Sequence, residues 1–372
     1  MWYLILRRDA APRIRNSIRA GGRPASRCAP ERSNSGRKPR PPGLGGPTVR
    51  KPSHFIKILA ALLLLCSNTS MGGTRENVPW LPGAALLVGY PPANLSVITP
   101  DRRSKLQDEG GDWYIDPSIS ANGRVVASAH RVSTDPPASR PRLVIATYSM
   151  PDKKWTDYEG VETMGGAVAI SPAGNKLACL MREGPDGHSN LHILDLKTGK
   201  AIQGPLLPEF AGTKMSWSPD GRRLAFDIEV NARAQTGVAT ARQAIYVLDV
   251  DSGGLTKIAD GRSPSWSPSG EWIAFLDYSP AQIARRLVLD VGNSVGLVRP
   301  DGGDAKLLVT FDGDETPKLA PVWSPDSKTI LINRFRDDLK ATMDIYLLEL
   351  DTLKLTRKFE NTPPVFGWVD AK

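Results

Sequence analysis

Cysteine is the first shortage. The 372-residue chain has three, and since Cys28 and Cys66 precede residue 74, Cys179 stands alone in the remainder. A single thiol closes no internal disulfide and completes no thiolate metal cluster. Set in the apolar run KLACLM, Cys179 reads as a small buried hydrophobe. Histidine is nearly as scarce. Of His54, His130, His188 and His192, only His188 and His192 fall at His-x-x-x-His spacing; Ser189 stands where the zinc-protease motif has Glu and no Glu-x-x-His spacing occurs, so the pair alone does not make a metal motif. No Gly-rich phosphate loop follows a strand and opens a helix; the Asp-Gly and Gly-Gly pairs fit hairpin turns. No cofactor is therefore expected.

Acidic charge is missing at one end only. Residues 1–73 hold fourteen Lys and Arg against Asp9 and Glu31, while the whole chain is +9, so the remainder is −3. The basic excess that would otherwise suggest a nucleic-acid partner sits outside the folded part, and nucleic acid is not expected. A long apolar run is also absent. The longest in this region, Ile58–Cys66, has nine residues where a membrane-spanning helix needs about twenty, so no transmembrane anchor is expected.

What is there begins with a leader. Residues 1–48 are rich in Arg, Pro, Gly and Ser without an apolar period and read as disordered or untranslated, with Val49 as an alternative start. Residues 49–73 place basic residues (Arg50, Lys51, Lys57) before an apolar run and small polar residues after it, the order of a secretory signal peptide. An Arg-rich transit peptide is the rival reading. Lipidation at Cys66 is disfavoured by the bulky Leu65 before it. The expected product is a periplasmic or secreted domain spanning 74–372.

That domain repeats itself. SWSPDGRRLAF at 216 returns as SWSPSGEWIAF at 265 and VWSPDSKTILI at 322, with weaker copies AISPAGNKLAC at 169 and SISANGRVVAS at 118. The anchors Ser120, Ser171, Ser218, Ser267 and Ser324 lie 51, 47, 49 and 57 apart. Ser-Pro-Asp-Gly suits a type I turn, and the apolar runs after it are of strand length. A second hairpin signal interleaves in six copies, among them LHILDLKTGK, IYVLDVDSGG and IYLLELDTLK. Six four-stranded units that cannot bury both faces alone stack radially into an all-β, six-bladed β-propeller. FGWVD near the C-terminus falls where another first strand is due, and PGAALLVGY at 82–90 fits a second strand, so the N- and C-terminal segments together close the ring. Alternatively Trp80, Leu81 and Pro82, a shortened copy of the Trp-Ser-Pro motif, supply that strand from the N-terminus.

WSPDGRRLAF followed by AIYVLDVDSGGLTKI resembles the repeat of TolB-type propellers, found also in prolyl oligopeptidase relatives, over residues 80–372. The separate α/β domain that precedes the TolB propeller has no counterpart. The peptidase relatives add an α/β-hydrolase domain, whereas here the last repeat runs to the final residues, so a serine hydrolase of that kind is not expected.

Asp220, Asp251, Asp326 and Asp351 invite a calcium reading but fit turn caps better, and the repeat position of Trp217, Trp266 and Trp323 fits packing between blades. The connections between second and third strands are long and all leave one face. They carry Arg131, His188, Arg233, Arg242, Tyr278, Arg334 and Arg336, the candidate interaction residues. Two readings stand: a monomeric module binding an unidentified protein or peptide of the cell envelope through this face, or a propeller enzyme, lactonase-like or dehydrogenase-like, with a metal or cofactor at its centre.

Overall fold

The computed structural model describes residue 81 and residues 83–90, 94–106, 114–132, 142–183, 188–198, 201–203, 214–233, 239–277, 293–311, 317, 319–335 and 342–371, all within one compact unit, Asn77–Lys372. The expectations for residues 1–73 lie outside them. Among the described residues every regular element is a strand, and the strands form six antiparallel blades.

The first blade pairs β1 (Ala84–Tyr90), β2 (Asn94–Ile98) and β3 (Arg103–Lys105) with the last strand of the chain, β23 (Val365–Asp370), whose register runs Ala84↔Asp370 to Val88↔Val365. Both chain ends thus build one blade, and Leu81 packs in the core beside it rather than opening a strand of its own. The second blade holds β4 (Tyr114–Ile119), β5 (Val125–Val132), β6 (Arg142–Ser149) and the first part of β7 (Lys154–Ile170). Without a break, β7 pairs with β6 as far as Glu162 and with β8 from Thr163, so it becomes the inner strand of the third blade with β8 (Lys176–Glu183), β9 (His188–Asp195) and β10 (Ala201–Gln203).

Three regular blades follow. The fourth is β11 (Met215–Trp217), β12 (Arg223–Arg233), β13 (Ala239–Asp249) and β14 (Leu255–Asp260). The fifth is β15 (Arg262–Trp266), β16 (Ile273–Asp277), β17 (Ser294–Val298) and β18 (Lys306–Thr310), and the sixth is β19 (Val322–Trp323), β20 (Thr329–Phe335), β21 (Met343–Glu349) and β22 (Lys354–Thr362).

The core proves the closure. Buried side chains form six clusters, each shared by two adjacent blades: Leu87, Val97, Val126 and Tyr148 between the first and second, for example, and Leu86, Val88, Leu331 and Ile345 between the sixth and first. A four-stranded sheet has two apolar faces and covers each with a neighbour, so six sheets and six interfaces leave no face unpaired.

The recurring serine explains why the motif is written so often. Each anchor serine is buried, and each accepts through Oγ the backbone N–H five residues on: Val125 (3.0 Å), Lys176 (2.9 Å), Arg223 (2.8 Å), Trp272 (3.1 Å) and Thr329 (2.9 Å). Ser120, Ser218 and Ser324 donate to the side-chain oxygen of Asn122, Asp220 and Asp326, which in turn accepts a backbone N–H at the fourth residue. The fifth copy puts Ser327 where the others have glycine, at φ +60°, and its Oγ accepts from Ser269 N (2.9 Å), tying two turns together.

Blades are stitched along their inner strands as well. Ser118 Oγ accepts from Ile170 N (3.2 Å) and Ser216 Oγ from Trp266 N (2.9 Å). The buried tryptophans serve the interfaces as their position suggests. Trp217 Nε1 donates to Ala169 O and Trp323 Nε1 to Ser265 O, both at 2.9 Å, whereas Trp266 Nε1 turns back to Gly270 O at 3.3 Å. Inner strands are edge strands, so their unpaired backbone groups need such partners.

Outer turns differ from expectation in one respect. The cap is set two residues before Asp251 and Asp351: Asp249 Oδ1 accepts from Ser252 N and Oγ, Asp195 Oδ1 from the amides of Lys197 and Thr198, and Glu349 Oε2 from Thr352 Oγ1. In the sixth-blade turn Leu353 stands at φ +52° and is more than half exposed, where the fourth blade has Gly253 at φ +72°. A leucine in the left-handed region costs about 1 kcal/mol. Leu353→Asn, which tolerates that region and exposes less apolar surface, is expected to raise stability by roughly 0.5–1 kcal/mol in urea unfolding.

Candidate functional site

In each complete blade the first-to-second and third-to-fourth connections are tight turns at one face, and the second-to-third connections leave at the other. Asp195, Asp220, Asp249 and Asp326 at the turn face are engaged with their own turns. Asp220 and Asp326 are held below the ordinary carboxylate range, chiefly by the hydroxyls of Ser218 and Ser324, Asp195 chiefly by the Thr198 amide, and Asp249 chiefly by the Ser252 hydroxyl. A folded value below the unfolded one, near 3.9, means that this stabilisation is complete above about pH 4 and is lost as the pH falls through the folded values. The urea midpoint is therefore expected to fall below pH 4. Asp220→Asn should blunt that fall, because Asn122 holds the same two contacts without a charge.

The opposite face is built by strands longer than the sequence suggests. His188 is the first residue of β9, opposite Glu183, rather than a loop residue. Most of 229–243 continues β12 and β13 instead of forming a loop, with Arg233 opposite Ala239 and Arg242 opposite Val230. Arg131 lies in β5 opposite Leu143, and Arg334 in β20 opposite Asp344. Tyr278 and Arg336 lie outside the described residues. Five of the seven candidates therefore occupy one face, spread over the second, third, fourth and sixth blades, and only Arg233 and Arg242 share a hairpin.

Arg334 is the best defined of them. Its guanidinium carbon lies 5.0 Å from the Phe311 ring centre and 5.4 Å from that of Tyr346, and Nη1 donates to the Tyr346 hydroxyl at 3.0 Å. Phe311 and Tyr346 meet edge to face at 5.8 Å. Two rings and a hydroxyl thus hold one rim arginine in place. Beside it the buried Asp344 accepts from Asn361 N at 3.3 Å and lies 3.5 Å from Arg357 Nη1.

Gly-x-Ser-x-Gly occurs once, at Gly292–Gly296. Its serine, Ser294, is buried in the third strand of the fifth blade, where its hydroxyl meets Asn293 Oδ1 (3.2 Å) and Thr310 Oγ1 (3.0 Å). A nucleophile elbow needs a serine exposed on a strand-to-helix turn, and this one is packed in a sheet. Burial pushes the Cys179 thiol up to about 12, so it remains protonated and unreactive at neutral pH. Among the described residues no three His, Cys, Asp or Glu side chains come together, and no helix is long and apolar enough to cross a membrane.

The architecture is that of a six-bladed TolB-type β-propeller. TolB from Acinetobacter baumannii superposes with a TM-score of 0.54 at 15% identity, over 77% of this chain and 66% of that one, a likeness that shows the fold. In sequence the chain is 28% identical to an uncharacterized protein of Agrobacterium fabrum over 123 residues, and 28% identical to dipeptidyl-peptidase 5 of Porphyromonas gingivalis over 148 residues. These matches span 38% and 19% of the two relatives, and 32% and 37% of this chain. No family model matches the chain.

Proposed function

We propose that residues 74–372 form an exported, monomeric binding module that holds a protein or peptide partner of the cell envelope on the face of the long second-to-third connections, the segment 49–73 being its signal peptide. The observation that carries this reading is the contrast between faces. At the turn face, carboxylates and hydroxyls are engaged with their own backbone. At the other, candidate residues stand on strands of four blades, and Arg334 is held there by two aromatic rings. Arginine and tyrosine held in place before binding are favoured interface anchors, since little side-chain freedom is then lost on association.

The test is capture from an envelope extract with the tagged protein, against a variant in which 230–242 and 279–292 are shortened, with metal analysis of the same preparation. A partner retained by the parent and lost by the variant is expected. Absence of any partner, together with one bound metal per chain, would replace this reading with a propeller enzyme.

A further inference from the structure

Among the described residues, the second and third strands of the blades do not pair to the same extent. Counted from the turn serine, pairing extends to the tenth residue in the fifth blade (Asp277), the eleventh in the sixth (Phe335) and the twelfth in the second and third (Val132, Glu183). In the fourth blade it extends to the fifteenth, Arg233. Among the described residues, pairing in the fourth blade thus runs three residues further than in the second and third and five further than in the fifth, about 10 and 17 Å of strand.

This arm has two free sides among the described residues. β14 accompanies β13 only as far as Ala244↔Asp260, and β11 accompanies β12 only as far as Met215↔Phe226. Beyond Glu229↔Gln243 the pairs Val230↔Arg242, Asn231↔Ala241, Ala232↔Thr240 and Arg233↔Ala239 continue as two strands alone. A two-stranded ribbon is marginal in water, and proteins blunt such edges with proline, lysine or a bulge. Here the register runs through eleven pairs without a shift, and residues 230–242 contain neither proline nor lysine. Nor do they contain an acid, while Arg233 and Arg242 supply two positive charges, one on each face of the ribbon. An uninterrupted, unblocked edge of one sign is a template for a third strand of the opposite sign.

We propose that the arm formed by residues 230–233 and 239–242 is the docking element of the long-loop face, and that it takes an extended acidic segment of a partner protein by strand addition. This rests on the binding-module reading above. Backbone hydrogen bonds along the arm supply the grip, and Arg233 and Arg242 select acidic side chains on both faces of the added strand.

The experiment uses the full chain and a twelve-residue peptide of alternating glutamate and valine, beside an alternating lysine and valine peptide. Backbone hydrogen exchange and fluorescence anisotropy are the readouts. The acidic peptide is expected to slow exchange at amides within 229–243 by about tenfold at saturation, as occupancy of an edge requires. A chain with Asn-Gly in place of 230–242 should neither bind nor respond, and Arg233→Glu/Arg242→Glu should reverse the preference toward the lysine peptide. Unchanged exchange in the arm, equal binding of both peptides by the parent, or undiminished binding by the shortened chain would overturn the proposal. So would a concentration-dependent dimer that disappears with the arm, since a second copy would then be the occupant. If envelope capture is lost with Arg334→Ala yet survives removal of the arm, strand addition falls while the long-loop reading stands.

Discussion

Asn333→Ala is expected to lower stability by about 2–5 kcal/mol and to free the C-terminal strand before the rest of the ring opens. Asn333 lies in the second strand of the sixth blade and is fully buried. Its amide grips the first residue of β23 from both sides: Nδ2 donates to Val365 O and Oδ1 accepts from Val365 N, each at 2.8 Å. Alanine leaves a buried N–H and a buried C=O without these partners, and each orphan costs about 1–3 kcal/mol. The lesion is placed at the seam, where β23 meets β1 from the other end of the chain. Hydrogen exchange should therefore speed up first in 365–370 and 84–88, ahead of the global transition. Uniform acceleration across all six blades would show that the amide is not a seam-specific clamp.

Asn333→Asp separates the two bonds by pH. The neutral acid can accept from Val365 N and donate to Val365 O, whereas the carboxylate keeps only the first and faces the carbonyl as a buried charge. Burial and that carbonyl raise the folded pKa above the unfolded value near 3.9. The variant's stabilisation is then fully present below about pH 4 and is lost as pH rises through the folded value. Its deficit against the parent should thus be smallest near pH 4 and grow toward pH 7.

The clamp also marks where sequence legibility ended. Ser-Pro-Asp-Gly could be read because its chemistry is local: the serine, the acid and the glycine act within six residues of one another, and the period of about fifty repeats the arrangement. The closing strand was legible because FGWVD keeps the repeat's spacing. Asn333 was not, since its partner lies 32 residues away in the next blade and three of the five turn motifs have an apolar residue at the same place. Asp227 works similarly, accepting Lys214 N (3.1 Å) in its own blade and Ser263 N (2.8 Å) in the next. The face carrying the candidate residues followed from strand order, but the height of each hairpin did not. Residues 229–233 and 239–243 have the small polar composition of a loop, and only pairing across the hairpin makes them strands.

Gly296→Ala should cost about 2–4 kcal/mol, comparable to the clamp, through overpacking rather than a lost bond. Phe275 lies in a slot between Gly296 of β17 and Gly261, which joins the fourth blade to the fifth. A Cβ on Gly296 would stand 2.6, 2.9 and 3.1 Å from three atoms of its ring, and one on Gly261 would stand 2.7 Å from another ring position. Since Gly296 faces Phe275 directly across β16 and β17, the ring must leave its rotamer or the strands must part. Moving the ring in turn disturbs Ala225, Ile245 and Trp266, which share its cluster with the fourth blade. Phe275→Leu alone removes ring volume and should cost about 1–3 kcal/mol through the cavity left behind. Combined with Gly296→Ala it should cost clearly less than the two separately, because the new methyl occupies space the ring has vacated. Urea unfolding of the four proteins measures this coupling. Additive losses would mean that the ring is not what Gly296 accommodates, and that the glycine serves the backbone of β17 instead.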